Sequence, residues 1–253
     1  MSENPILIGH RGARGEAPEN TLQGFEWAWT NGIRSFEFDL QLSADGELFI
    51  LHDEDLIRTC GVAGRAADLS LEALRAFDGR KVGPPWPAPC RIPALQEVLD
   101  LLLQAPEQVE QVQLEVKTTD TATLKRLCDR LSAALASLPK TLLTKCVVTS
   151  FNPLVPGLIQ AADVTGLRQG LAVEDKPVLQ ALLTNSMSGL DLVALNHQMV
   201  TGEVVQRLRH MGLEVSCWTV NASQDWQRVC AAGVDSVITD HPLRMQQIQQ
   251  HQF

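Results

Sequence analysis

Positive charge is what this chain is short of. It sets 21 Lys and Arg against 30 Asp and Glu, a formal net charge of −9. Binding along a nucleic-acid backbone requires the opposite balance, so nucleic acid is excluded as the expected partner. Docking on an anionic membrane through a basic patch is disfavoured for the same reason. A small phosphorylated ligand survives this test, because a divalent cation reverses the field inside a site even on an acidic protein. Paired cysteines are missing too. The six stand at 60, 90, 128, 146, 217 and 230 with no CxxC among them. Several sit in apolar runs (KCVVTSF, VSCWTV), which reads as buried reduced thiols rather than a disulfide framework or a zinc site. No apolar run approaches the ~20 residues of a membrane span. MSENPILIGHRG has no basic segment ahead of a long apolar stretch, so no signal peptide is expected and the expected compartment is the cytoplasm. Also lacking are the glycine patterns of dinucleotide and P-loop sites, HExxH and GxSxG, and with them the motif support for nucleotide-binding, zincin and serine-hydrolase readings.

What is present is an alternation. Short apolar or β-branched runs (6–9, 35–42, 111–117, 145–150, 167–173, 190–195, 213–220, 235–239) alternate with stretches of helical periodicity (20–30, 94–104, 121–137, 153–162, 176–186, 201–211, 223–232, 242–250). Eight such units in 253 residues predict an α/β fold, a TIM (β/α)₈ barrel, as one domain over 1–253. Thr201 with Gly212, and Ser223 with Gly233, punctuate two of the helices. Residues 53–93 break the rhythm with Gly and Pro clusters and one short helical run, SLEALRAF. That is too long for an ordinary βα loop. It reads as an insertion after the second strand, on the C-terminal rim where it can cover a site.

Strand alternation points to the chemistry. In SFEFDLQL, Phe36, Phe38 and Leu40 share one face, and Glu37 and Asp39 the other. If the apolar face packs on helices, both carboxylates point into the barrel. There they repel each other and lose hydration, which a hard cation with oxygen ligands resolves. The alternative is an amphipathic strand with an acidic edge in solvent. QVQLEVK repeats the pattern with Glu115 and Lys117 opposite Leu114 and Val116, the alternative being an ion pair within the strand. His10 and His52 each end an apolar run at the functional rim, a placement suited to acid–base work at neutral pH. Arg11 offers a guanidinium to phosphate. His197 follows the sixth strand and is a weaker candidate for the rim. His241, His210 and His251 read as surface groups. Trp218 is either core or a flat wall for a small organic group.

Taken together, HRGARGEAPENT (10–21), EFDLQLSADGELFILHD (37–53), LEVK (114–117), TSFN (149–152), WTVN (218–221) and AGVDSVITDHP (232–242) resemble the glycerophosphodiester phosphodiesterase family, the short cytoplasmic bacterial enzymes most closely. The resemblance runs through almost the whole chain in the family's order. It implies His10 and His52 as an acid–base pair, Glu37, Asp39 and Glu115 as ligands for Mg²⁺ or Ca²⁺, and Arg11 and Lys117 as phosphate holders. It implies Glu19 and Asn20 as polar support, Trp218 as a wall of the glycerol pocket, and 53–93 as the family's insertion. Leu40 and Ser43 depart from a commoner Val and Thr. The implied reaction is hydrolysis of small glycerophosphodiesters to glycerol 3-phosphate and an alcohol. The attacking group is either the neighbouring glycerol hydroxyl, giving a cyclic phosphate first, or water. Two other readings stand beside it: an aldolase-type barrel with Lys117 as Schiff-base former, and a barrel that binds without turnover. The sequence leaves the oligomeric state open.

Overall fold

The computed structural model describes residues 4–117, 120–185 and 187–250. Its strands are β1 (Ile6–His10), β2 (Ser35–Leu42), β3 (Leu48–Ile50), β4 (Gln111–Val116), β5 (Cys146–Ser150), β6 (Arg168–Val173), β7 (Leu192–Asn196), β8 (Glu214–Trp218) and β9 (Ser236–Thr239). β1 pairs in parallel with both β2 and β9. That closes β1, β2 and β4 to β9 into an eight-stranded parallel barrel, with helices between successive strands. The expected (β/α)₈ architecture is present.

Strand parity sorts the residues by chemistry. Phe36, Phe38 and Leu40 are fully buried on the outer face of β2. Phe25, from the helix Leu22–Thr30, meets Phe36 and Phe38 edge-on at 5.7 and 5.5 Å. The inner face of β2 carries Ser35, Glu37 and Asp39, in register with Gln111, Gln113 and Glu115 of β4. Gln113 donates across the barrel to Ser216 Oγ at 3.0 Å, so interior polar groups find interior partners. An apolar sector made by Val147, Ala172, Leu192 and Ala194, with Trp218 against it, fills the other side. Helix punctuation follows the sequence reading. Thr201 Oγ1 accepts from Val204 N, and Gly212 and Gly233 take left-handed φ of 80° and 85°.

One strand was not among the expected eight. β3 runs antiparallel to β2, pairing Leu40 with Ile50 and Leu42 with Leu48. Its three residues are too few to show a period, and only their pairing to the end of β2 makes them a strand. This hairpin carries the chain back down to His52 and then into residues 53–93, the stretch expected to be an insertion. There the structure adds a short helix, Ile57–Cys60, and shortens the expected helical run to Leu71–Leu74. The insertion holds itself with a small core of its own around Phe49, Leu51, Leu56, Ala66, Leu74 and Ile92.

Candidate active site

A cavity of about 400 Å³ opens at the C-terminal ends of the strands. His10, Arg11, Glu37, His52, Glu115, Lys117 and Trp218 all line it. Of the other expected site residues, Asp39 is buried directly beneath, and Glu19 lies behind Arg11.

The first wall forms where β1 ends. Arg11 and Gly12 take φ of 52° and 88°, a left-handed turn that costs a non-glycine residue about 1–2 kcal/mol. The turn is held from three sides. Arg11 N donates to Glu37 Oε2 at 3.2 Å, Arg11 Nη1 donates to Glu19 Oε1 at 2.9 Å, and Arg11 Nε lies 3.2 Å from Asp39 Oδ2. Gly9 makes the turn sterically open, because a Cβ there would stand 1.9 Å from the Gly12 carbonyl oxygen.

Inside the barrel, Glu37, Asp39 and Glu115 bring ligand oxygens within 4.8 Å of one another. Glu37 Oε1 is buried without a hydrogen-bond donor, and the buried Asp39 Oδ1 and Glu115 Oε1 face the Lys117 ammonium. Burial, then the charges of Asp39 and Glu115, push Glu37 well above the usual carboxylate range. Burial and Asp39 lift Glu115 to about 7. Burial acts in the same direction on Asp39, but Arg11 and Lys117 outweigh it and hold that carboxyl low. Three buried carboxylates crowded this closely, one of them with an oxygen that no donor reaches, are a hard oxygen donor set, and a divalent cation fits them. The ion pair that the alternative reading of β4 expected is also present, with Lys117 Nζ 2.5 Å from Glu115 Oε1 and 3.5 Å from Asp39 Oδ1. Burial works to discharge Lys117, yet Glu115 and Asp39 raise it further and keep it protonated. A protonated amine is no nucleophile, which counts against the Schiff-base reading.

Each histidine is aimed by an aspartate. His10 Nδ1 lies 2.5 Å from Asp240 Oδ1, and Asp240 Oδ2 accepts from Asn221 Nδ2 at 2.8 Å. His10 Nε2 is left facing Glu37 Oε2 at 3.7 Å. His52 Nδ1 pairs with Asp53 Oδ1 at 2.9 Å, and Arg58 Nε donates to Asp53 Oδ2 at 2.6 Å. Burial lowers both imidazoles below their ordinary range, partly offset at His10 by the hydrogen bond to Asp240. Both shifts favour the neutral imidazole.

The polar support is denser than the sequence showed. Asn20, at φ 53°, donates through Nδ2 to Asp39 Oδ2 at 2.8 Å. Glu19 is clasped by Arg11 and by both terminal nitrogens of Arg58, at 2.7 and 2.9 Å. Burial alone would raise Glu19, but Arg58 and Arg11 bring it from the ordinary 4.5 down to about 2. A carboxyl depressed on folding stabilises above its unfolded pKa, and that stability is lost as pH falls through the folded value. Glu19→Gln is therefore expected to cost about 3 kcal/mol at pH 7. The gap to the parent should close between pH 4.5 and 2. Urea melts at pH 7 and pH 2.5 check it, and an equal gap at both would refute the assignment.

Sequence reasoning missed Asp240, Asp53, Arg58 and Arg14. Asp240 and Asp53 lay within quoted motifs without a role; the closeness of Asp240 to His10 shows only in three dimensions, whereas Asp53 directly follows His52 and that adjacency was the signal available. Arg14 lines the cavity 3.7 Å from Asp240 and 3.8 Å from Glu19. Among the weaker histidines, His197 does not line the cavity; it sits in a short turn bonded to Arg228. His210 is exposed, but His241 is half-buried against Gly15 rather than a free surface group. His251 lies outside the described residues. Trp218 donates through Nε1 to the Ala194 carbonyl at 3.0 Å and meets Phe151 edge-on. Leu40 and Ser43 touch none of the three carboxylates: Leu40 packs outward, and Ser43 bonds Asp45 and Glu47 in the hairpin turn.

Residues 10–244 match the family described as the glycerophosphoryl diester phosphodiesterase family. The chain is 29% identical over 238 residues to a glycerophosphodiester phosphodiesterase of Caldanaerobacter subterraneus subsp. tengcongensis, covering 94% of each. It superposes with a TM-score of 0.85 on a Silicibacter pomeroyi DSS-3 protein assigned to the same enzyme class, at 28% identity, covering 99% of this chain and 94% of the other. An Oleispira antarctica phosphodiesterase, solved with the product sn-glycerol-3-phosphate, shares the fold at a TM-score of 0.83 and 23% identity, covering 98% and 97%.

Proposed function

Because the chain belongs to the glycerophosphoryl diester phosphodiesterase family and is thus a phosphoric diester hydrolase, we propose that it hydrolyses glycerophosphodiesters to glycerol 3-phosphate and an alcohol, using a divalent cation and two histidines. One observation carries this reading. Glu37 and Glu115, clustered with the buried Asp39, and two aspartate-aimed imidazoles share one cavity whose remaining cations suit a phosphate.

In this reading Glu37, Asp39 and Glu115 hold Mg²⁺ or Ca²⁺. A cation bound there would supply Lewis-acid stabilisation of charge at the phosphate. Arg11 and Lys117 hold phosphate oxygens, Arg11 through a fork already fixed by Glu19. Asp240 keeps the His10 Nδ1 proton, so that Nε2 is the free position; Asp53 does the same for His52. One imidazole accepts the proton of the attacking oxygen and the other delivers one to the leaving alcohol. Trp218, its indole pinned by Ala194, is the flat wall for the glycerol carbons. The whole of 1–253 is taken as one barrel domain with 53–93 as its insertion, and the six free cysteines suit a reducing cytoplasm.

Purified protein supplied with Mg²⁺ or Ca²⁺ is expected to release glycerol 3-phosphate from glycerophosphocholine and to stop in EDTA. Failure across several headgroups and both metals sinks the proposal. Turnover that resists EDTA, with substrate trapped by borohydride, would favour the Schiff-base reading instead.

A further inference from the structure

We propose that Gln41 is a positioning residue for His52: its side-chain amide clamps the backbone on both sides of that histidine and so fixes where the imidazole stands relative to the carboxylate trio. The inference rests on the acid–base role given to His52 above. Gln41 belongs to the inward series of β2, with Ser35, Glu37 and Asp39. The proposed chemistry uses the two carboxylates of that series and leaves the buried amide without a part. β2 outruns its neighbour at this point, since its register with β4 ends at Leu40 opposite Val116. The chain returning through β3 fills the place beside Gln41, with Phe49 opposite it. Gln41 Nε2 donates to the Leu51 carbonyl at 2.8 Å and to the Asp53 carbonyl at 2.7 Å. A primary amide has two N–H groups, and both go to the residues that flank His52.

Residues 51–53 lie between β3 and the helix Ile57–Cys60, outside helix and strand. A backbone bond from Leu51 N to the Asp39 carbonyl, at 3.1 Å, ties them to β2 at one point. Asp53 sets the turn of the His52 ring, but it is the next residue and moves with the same loop. It therefore cannot set where the loop stands. Arg58 anchors the Asp53 side chain from outside, through a guanidinium that is 36% exposed. Gln41 holds the loop from the barrel side, on the strand that carries Glu37 and Asp39. Positions 39 and 41 are about 7 Å apart along a strand. One rigid element thus carries both the carboxylates and the platform for the histidine. A shift of about 1 Å at a reacting group is enough to cost ~10²-fold in rate. Such a loss falls on kcat and on the state of one imidazole. The grip on phosphate and on a cation is left alone, because other side chains supply it.

The test is Gln41→Met, which keeps a similar length but donates nothing, with Gln41→Asn as the milder change should the methionine variant fail to fold. Gln41→Met is expected to lower kcat on glycerophosphocholine about 10- to 100-fold, with KM and the Mg²⁺ concentration for half-activity within about twofold of the parent's. Gln41→Asn should show the same split with a smaller loss, roughly three- to tenfold. The ring-proton resonance of His52, identified by its absence from His52→Ala, should shift or broaden in both variants, and that of His10 should not. In the His52→Ala background, adding Gln41→Met should change kcat by less than about twofold, because the group it positions is gone. A parental kcat in Gln41→Met, or in Gln41→Asn if that variant alone folds, overturns the inference. So does a loss that persists undiminished in the His52→Ala background, or one matched by an equal rise in the metal requirement. Failure of both variants to fold assigns Gln41 to the fold and overturns it too. Near-parent turnover by His52→Ala removes the acid–base role and this inference with it. If the parent turns over no glycerophosphodiester, the proposed function falls, and the His52 resonance still decides whether Gln41 positions that ring.

Discussion

Alanine at His10 or at His52 is expected to lower kcat on glycerophosphocholine by about 10²–10⁴-fold, the usual worth of a positioned acid or base. KM and metal binding should stay near the parent's. The geometry argues for a loss in kcat rather than in affinity. In the proposed reading neither imidazole is needed to hold phosphate, a role given there to Arg11 and Lys117, and neither belongs to the carboxylate trio. What each contributes is a nitrogen with a defined proton. His10 Nδ1 is committed to Asp240 at 2.5 Å, so Nε2 alone can exchange a proton with substrate. Asp240→Asn tests that commitment separately. The amide keeps the shape, and its oxygen can still bond Nδ1 if the side chain turns. That turn would place its nitrogen where Asp240 Oδ2 now accepts from Asn221. A fall in kcat of roughly 10- to 100-fold is expected, smaller than for His10→Ala, with an altered pH profile of kcat/KM. Stopped-time assays of glycerol 3-phosphate release, with thermal melts as the folding control, decide it. Near-parent rates in either alanine variant would remove that histidine from the chemistry. Following the phosphorus species over time also separates the two modes of attack, since a cyclic glycerophosphate builds up only if the glycerol hydroxyl attacks first.

Much of this site was readable because a barrel converts strand parity into geometry. Phe36, Phe38 and Leu40 alternate with Glu37 and Asp39, and the structure turns the first set onto Phe25 and the second into the barrel. The same rule placed Glu115 beside Asp39, because β2 and β4 pair in register. Parity carries no information about what approaches from another strand's loop. Asp240 is 230 residues from His10, and only the β1–β9 closure makes them neighbours. Arg58 is in the insertion, where Gly and Pro hide the periodicity, and its reach to Glu19 spans 39 residues. β3 was invisible for a different reason: three residues cannot show a period of two, and pairing to β2 alone defines them. The bland alternative for β4 was partly right as well. Lys117 does pair with Glu115, and that pair is what keeps the lysine charged for a phosphate.

Glu37→Gln is expected to weaken divalent-metal affinity by one to two orders of magnitude, about 1.4–2.7 kcal/mol, with activity recovering only at correspondingly higher Mg²⁺ or Ca²⁺. In the metal-free protein Glu37 and Glu115 are both raised by burial and by their neighbours' charges. A carboxyl whose pKa rises on folding contributes stability below its unfolded pKa and loses it as pH climbs through the folded value. In EDTA the parent should therefore lose stability between pH 4.5 and about 7, the window that Glu115 spans. Metal reverses this, since it favours the ionised trio and binds the folded chain alone, adding about 2.7 kcal/mol at a hundredfold excess over Kd. Glutamine at 37 removes one of the repelling charges and one of the ligands together. The variant should melt at or above the parent in EDTA and below it in saturating metal. That crossing of the two curves distinguishes loss of a ligand from general damage, which lowers both. An unchanged metal dependence of melting and of rate would mean that Glu37 is not a ligand. The trio's crowding would then be a purely structural cost in search of another explanation.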